Sequence, residues 1–146
     1  MKITDVKASI HRVPVEVPLL KEKIVTPIVF TTVETDAGIT GYGLTRGGQR
    51  FGMKEFINRE VAPFLRGKNP LETERVWHDL LKQFNARVQT GMWSSAVSTI
   101  DIALWDIKGK HYKEPVWRLL GGAQNPVQAY ITFGLKQYKK EQLVEV

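Results

Sequence analysis

The sequence predicts an α+β fold: a three-stranded antiparallel meander, then a helical bundle, then the first strand and helix of a second unit. Three observations carry this prediction. β-branched and aromatic runs fill residues 3–45, the apolar spacing then lengthens to a helical period, and a strand-like run restarts after the double glycine at 121–122. Strands, helices and a restart divide the chain into residues 1–123 and 124–146.

The first strand is expected over "ITDVKASIHRV", where Ile3, Val6, Ala8 and Ile10 alternate imperfectly with polar residues. The following "PVEVPLLKEKIVTP" carries Pro14, Pro18 and Pro27. Proline lacks a ladder donor and biases its predecessor to extended geometry, so this segment reads as a long irregular loop. "IVFTTVET" and "ITGYGLT" flank Asp36-Ala37-Gly38, with Gly38 suited to the left-handed turn position. Ile28–Thr35 and Ile39–Thr45 should therefore pair antiparallel. A glycine-rich loop is expected over "RGGQRFG", Arg46 to Gly52.

Phe56, Ile57, Val61, Phe64 and Leu65 mark the first helix, ending at Gly67, with Pro63 kinking it near Arg59. Asn69-Pro70-Leu71-Glu72 has the pattern of a capping box, Asn as cap, Pro first and Glu third, opening a helix with a Trp77, Leu80, Leu81, Phe84 stripe. The third helix starts near Met92. Trp93, Ala96, Val97, Ile100, Ala103, Leu104 and Ile107 form its apolar face. Ile102 and Trp105 lie off that face, which suggests a second covering, by another domain. A short helix over Pro115–Leu120 stops at Gly121-Gly122. Val127–Gly134 reads as a strand and Lys139 onward as a helix.

The 146 residues, 42% apolar and 25% charged, fit a globular chain with a real core. No run approaches the roughly 18 apolar residues of a membrane span. The N-terminus lacks a secretory pattern, and cytoplasmic is the default location. Without cysteine there is no disulfide, thiolate or Cys-based metal chemistry. The +6 charge is scattered from Lys2 to Lys140 rather than gathered on one face, which disfavours nucleic acid.

No catalytic constellation is visible. Lys108 and Lys110 are two apart on a helix, and Asp101 and Asp106 five apart, so neither pair converges on one ligand. His11, His78 and His111 sit in no ligand-spaced motif. Gly41, Gly43, Gly47, Gly48 and Gly52 lack the Gly-Lys-Ser/Thr ending and parallel strand–turn–helix context of a phosphate loop. They read as tight packing plus a mobile loop. Arg46 and Arg50, at its two ends, could clamp a carboxylate or phosphate.

"SAVSTIDIALWDIKGKHYKEPVWRLLGG", Ser95 to Gly122, closely resembles the stretch joining the N-terminal capping domain to the barrel in the enolase superfamily, mandelate racemase/muconate lactonizing branch. "VETDAGITGYG" resembles the capping-domain hairpin and "YITFG" the first barrel strand. The resemblance implies a capping (lid) domain over 1–123 and the start of a truncated TIM-type barrel over 124–146. A whole barrel needs about 250 residues. It implies an enzyme that removes a proton α to a carboxylate, a racemase or acid-sugar dehydratase, using Mg²⁺ and Lys or His bases. Those groups belong to later barrel strands, so no catalytic residue or metal ligand is expected here, and the chain alone should be inactive. Lys108, Lys110, Lys136 and Lys139 do not match the family's Lys-x-Lys.

What carries over is the lid: the Pro14–Pro27 and Arg46–Met53 loops, with Lys21, Lys23, Arg46, Gln49 and Arg50 as substrate-binding candidates. Expected partners are an acid sugar or other α-hydroxy acid, a barrel domain or complementary chain, and further copies in a homo-oligomer. Leu44 and Thr45 stand where many members have Glu after the Gly-x-Gly, which leaves the subgroup open. The alternative is a stand-alone α+β binding or assembly module for an anionic ligand.

Overall fold

A computed structural model describes residues 1–18, 23–84, 90–122, 126, 128–130 and 138–145. Strands β1 (Ile3–Val15), β2 (Ile24–Thr35) and β3 (Thr40–Arg46) form one antiparallel sheet in the order β1-β2-β3. Val6, Ala8, Val29, Thr31, Val33, Gly41 and Gly43 alternate onto its buried face. The β2–β3 turn runs through Gly38 at φ 73°. Thr35 Oγ1 fastens this turn, accepting from the Ile39 N–H at 3.1 Å and donating to its carbonyl at 2.8 Å.

The long irregular loop expected between Pro14 and Pro27 is not there. Both prolines lie inside an extended ribbon, with Pro14 opposite Val25 and Arg12 opposite Pro27. The physical reason is position in the sheet. β1 is an edge strand, and Pro27 lies one residue beyond Ile28, where pairing with β3 begins. Each proline thus has an open side on which no ladder donor is needed. β1 runs to Val15 and β2 begins at Ile24, and of the residues between them 16–18 and 23 are described.

The expected Arg46–Gly52 loop is also shorter. Arg46 ends β3, and helix α1 (Arg50–Phe56) already contains Gly52. A Cβ at Gly52 would stand 2.7 Å from Met92 Sδ, so this glycine serves close helix packing, not loop flexibility. A single π-turn (Ile57–Val61) joins α1 to α2 (Ala62–Leu65). It surrounds Arg59, the position where Pro63 was expected to disturb the helix, because proline cannot donate back and its ring crowds the carbonyl four residues earlier. The turn also presents Asn58 to the free edge of β1. Its side chain accepts from the Ala8 N–H at 2.7 Å and donates to the Ala8 carbonyl at 3.0 Å. The backbones of Gly67 and Lys68 pair with Ile3, the Gly67 N–H donating to the Ile3 carbonyl and the Ile3 N–H to the Lys68 carbonyl, so the edge is covered at two points.

Helix α3 (Thr73–Phe84) follows a turn in which Asn69 Oδ1 accepts from the Leu71 N–H. The helix starts later than expected, and the Glu72 carboxylate accepts from the Asn69 side-chain amide and from Arg75. Val76 and Leu80 are buried, Trp77 meets Trp93 edge-on, and Phe84 meets Phe56 and Phe64 in the same manner.

Helix α4 (Gly91–Tyr112) crosses the sheet, and all seven residues of its expected apolar face are buried, with Thr99 as an eighth. β3 lies directly on its backbone. A Cβ at Gly41 would be 2.1 Å from the Ala103 carbonyl oxygen, and one at Gly43 would be 1.9 Å from that of Thr99. These glycines are small because a helix occupies the space, not because strands pack tightly on each other. Lys113 ends α4 at φ 55°, ψ 36°. Pro115 opens α5 (Val116–Leu119), which stops at Gly121 and Gly122 with φ 108° and 62°.

The expected strand Val127–Gly134 lies mostly outside the described residues; of its described residues 128–130 none is in a strand, and Tyr130 is 91% exposed. The last helix, α6, covers Gln142–Glu145, later than the expected start at Lys139. Tyr138 donates its hydroxyl to the Pro18 carbonyl at 3.0 Å.

Candidate functional site

The end of β3, the Gly47–Gln49 turn and the first turn of α4 enclose a cleft of about 390 Å³ lined by Gly47, Gly48, Gln49, Met53, Gly91, Ser94 and Ser95. Buried Met53 closes its apolar side. Ser94 and Ser95 bring hydroxyls, and Gln49 an amide. Gly91 enters α4 at φ 65°, and neither Gln49 nor Thr90 uses its side chain to cap the helix that follows it. Such a wall of hydroxyls, amide and backbone N–H groups can hold a polyhydroxy or anionic group in place. Its lining carries no titratable side chain to act as a base or to activate the serine hydroxyls.

Of the expected binding residues, one lines the cleft and two adjoin it in sequence. Gln49 lines the cleft, Arg46 immediately precedes it, and Arg50 immediately follows, with its guanidinium 5.0 Å from the Phe51 ring centre. Arg46 is exposed and makes no ion pair among the described residues. Lys23 is elsewhere. It bridges to Glu16 at 2.6 Å at the tip of the β1–β2 ribbon, five residues along β2 from Ile28, the partner of Arg46. At strand rise that is about 16 Å away. An exposed pair of this kind adds little stability. Lys21 lies outside the described residues. Ser94 and Ser95 were not anticipated, because "MWSSAV" was read only for the apolar face of its helix; two adjacent hydroxyls in a first helical turn were the available signal.

The charged pairs on α4 serve two different purposes. Asp106 accepts from the Tyr42 N–H at 2.9 Å and from Lys110 at 2.7 Å, while Lys110 also donates to the Thr40 carbonyl. This pair fastens β3 to α4. Lys108 points away from Lys110, over the Trp105 ring and toward Thr73. Asp101 and Asp106, expected to diverge, both border a second groove beside Ile102 and Trp105. Half-burial, with the charge of Glu74 nearby, raises the Asp101 carboxyl above its ordinary range. At the opposite extreme, the Lys68 hydrogen bond at 2.6 Å holds the Asp79 carboxyl below that range.

His11 bonds Ser9 and meets Phe30 edge-on, and His111 meets Tyr112. Among the described residues no three His, Asp or Glu side chains come together to hold a metal ion, and no helix is long and apolar enough to cross a membrane. The described residues therefore offer no cluster that fits a Mg²⁺ site.

Residues 1–121 match the family model for the mandelate racemase / muconate lactonizing enzyme, N-terminal domain. D-galactarolactone cycloisomerase of Agrobacterium fabrum is 33% identical over 150 residues, covering 94% of this chain and 37% of that protein. Arabinonate dehydratase of Saccharolobus solfataricus is 35% identical over 115 residues, covering 78% of this chain and 31% of its own length. The solved structure of an enolase-superfamily member from Polaromonas sp. JS666 superposes with a TM-score of 0.80 at 32% identity, over 99% of this chain and 40% of the other. The chain thus spans about a third of the length of the curated relatives it matches. A three-stranded meander seated by two glycines on one long helix, matched over 121 of 146 residues, places the chain in the mandelate racemase/muconate lactonizing enzyme family of the enolase superfamily.

Proposed function

We propose that this chain is the lid portion of a Mg²⁺-dependent racemase or acid-sugar dehydratase that removes a proton α to a carboxylate. The observation that carries this reading is the cleft at Gly47–Gln49 and Ser94–Ser95, which offers binding groups without chemical ones, on a domain matched to the N-terminal part of such enzymes. Residues 1–123 supply the lid and residues 124–146 the start of a barrel. Relatives that cycloisomerise a galactarolactone and dehydrate arabinonate support an acid-sugar or related carboxylate substrate.

In this reading Gln49, Ser94 and Ser95 take hydroxyls of the distal end of the substrate, and Arg46 and Arg50 favour its acidic character. Mg²⁺ and the proton-transferring bases would come from the remainder of the longer protein, which would also form the cytoplasmic homo-oligomer. The chain's own work is to orient the substrate and exclude water.

The test extends the 146 residues with the remainder of the Agrobacterium cycloisomerase and assays acid sugars and their lactones. Arg46→Ala with Arg50→Ala should raise KM severalfold with kcat little changed, the mark of uniform binding. Loss of kcat at unchanged KM would count against a lid role. The stand-alone reading, favoured by Arg46, which makes no ion pair among the described residues, is separated by titrating the 146-residue chain with galactonate and phosphate. A lone lid binds both weakly, with Kd on the order of millimolar or above, and tight saturable binding would favour the binding module.

A further inference from the structure

The edge of a β-sheet is a template for further strands, and among the described residues this sheet has β1 and β3 as its edges. The β1 edge is closed by several means. Ile3 is bonded to Gly67 and Lys68, and Ala8 to the Asn58 side chain. Pro14, on the same side of the strand as Ala8, has no N–H to offer. β3 pairs with β2 through the backbone groups of Gly41, Gly43 and Thr45, so those of Thr40, Tyr42 and Leu44 point outward.

Two of these outward groups are taken from one turn of α4. The Asp106 carboxylate accepts from the Tyr42 N–H at 2.9 Å, and the Lys110 ammonium donates to the Thr40 carbonyl at 2.7 Å. The same ammonium lies 4.4 Å from the centre of the Tyr42 ring. A carbonyl and an N–H on either side of one residue are what a single residue of a parallel fourth strand would bond. Asp106 and Lys110 stand, as side chains, in the place of that residue. Their side chains are 33% and 41% exposed, so as an ion pair they add little stability, and their larger consequence is at the edge. β3 is otherwise suited to pair with its own copy. In an antiparallel β3–β3 pair centred on Gly43, Tyr42 falls opposite Leu44 and Thr40 opposite Arg46. Arg46, the one charged residue of β3, thereby avoids its own copy, and Tyr42 and Leu44, 47% and 53% exposed, cover each other.

We propose that Asp106 and Lys110 close the edge of β3 to strand addition, and that a chain lacking them pairs with a second copy of itself through β3. The proposal concerns assembly and stands apart from the enzymatic reading.

Asp106→Ala with Lys110→Ala is made in the 146-residue chain, association is followed by sedimentation, and amide hydrogen exchange is read at Tyr42 and Leu44. In the unaltered chain the Tyr42 amide should be protected and the Leu44 amide open at every concentration. The double variant, its fold checked by circular dichroism, should associate about tenfold or more tightly than the unaltered chain. Its Tyr42 amide should open in dilute solution, and the Tyr42 and Leu44 amides should become protected together as it associates. Adding Leu44→Pro removes the outward donor at the centre of that pair and should return association to the level of the unaltered chain. A folded double variant that associates no more than the unaltered chain would overturn the proposal. So would association that leaves both amides open or that survives Leu44→Pro, because it would run through another surface. Where the double variant fails to fold, Lys110→Met carries the test, since it keeps the stem beside Tyr42 and frees only the Thr40 carbonyl. It should associate severalfold more tightly than the unaltered chain, and a folded Lys110→Met that associates no more tightly would overturn the proposal as well.

Discussion

The contact between β3 and α4 and the rim around Gly47–Gln49 lie next to each other in sequence and have opposite physical characters. At the first, two glycines let a strand rest on helix carbonyl oxygens, and Asp106 with Lys110 fastens the pair. At the second, an exposed arginine, a glutamine and two serines border open space. The signature stretch Ser95–Gly122 belongs almost wholly to the first. What makes the family recognisable is therefore scaffold, and what would touch a substrate is a short edge with little pattern of its own.

The difference can be broken most forcefully at the glycines. Gly43→Ala, and then Gly41→Ala, should abolish cooperative unfolding or cost more than about 4 kcal/mol, because a methyl would overlap a carbonyl oxygen that cannot move without the helix. Denaturant melts followed by Trp fluorescence would read this, and a well-folded Gly43→Ala would disprove the packing account. Asn58→Ala leaves both backbone groups of Ala8 without partners and should cost about 2 kcal/mol, with m unchanged. Lys113→Gly acts in the other direction. A lysine at φ 55° is strained where glycine is not, so the change should stabilise by about 1 kcal/mol.

Asp101 gives a smaller effect with a defined sign. Its carboxyl is raised, so the folded chain holds that proton more tightly than the unfolded chain does, and ionisation weakens the fold. Asp101→Asn should therefore raise the melting temperature near neutral pH. The gain should shrink as pH falls through the carboxylate range and vanish below it. A gain that persists in acid would mean that the substitution acts through packing. At the rim, Arg46→Ala and Arg50→Ala should change stability by no more than about 0.5 kcal/mol, since neither side chain is buried.

The sequence was most readable where one physical constraint acted alone. The face of α4 followed from apolar spacing, and the Gly38 turn from the need for a left-handed residue. Reading failed where tertiary position decides the outcome. Pro14 and Pro27 looked like loop markers because their tolerance depends on having an open side in the sheet, which no local pattern reveals. Gly52 looked flexible because its reason, the Met92 sulfur, is 40 residues away in sequence. Ser94 and Ser95 were passed over, and Lys23 was grouped with Arg46, for the same cause: a cleft is a property of several segments at once.

On the proposed reading these residues shape a substrate pocket and do not ionise a substrate. The most direct measurement is an assay of the purified 146-residue chain with Mg²⁺ and a panel of acid sugars and lactones, including galactonate, arabinonate and galactarolactone, following solvent deuterium incorporation as well as product. No exchange and no turnover above a protein-free control are expected. Robust, saturable turnover by this chain would contradict it.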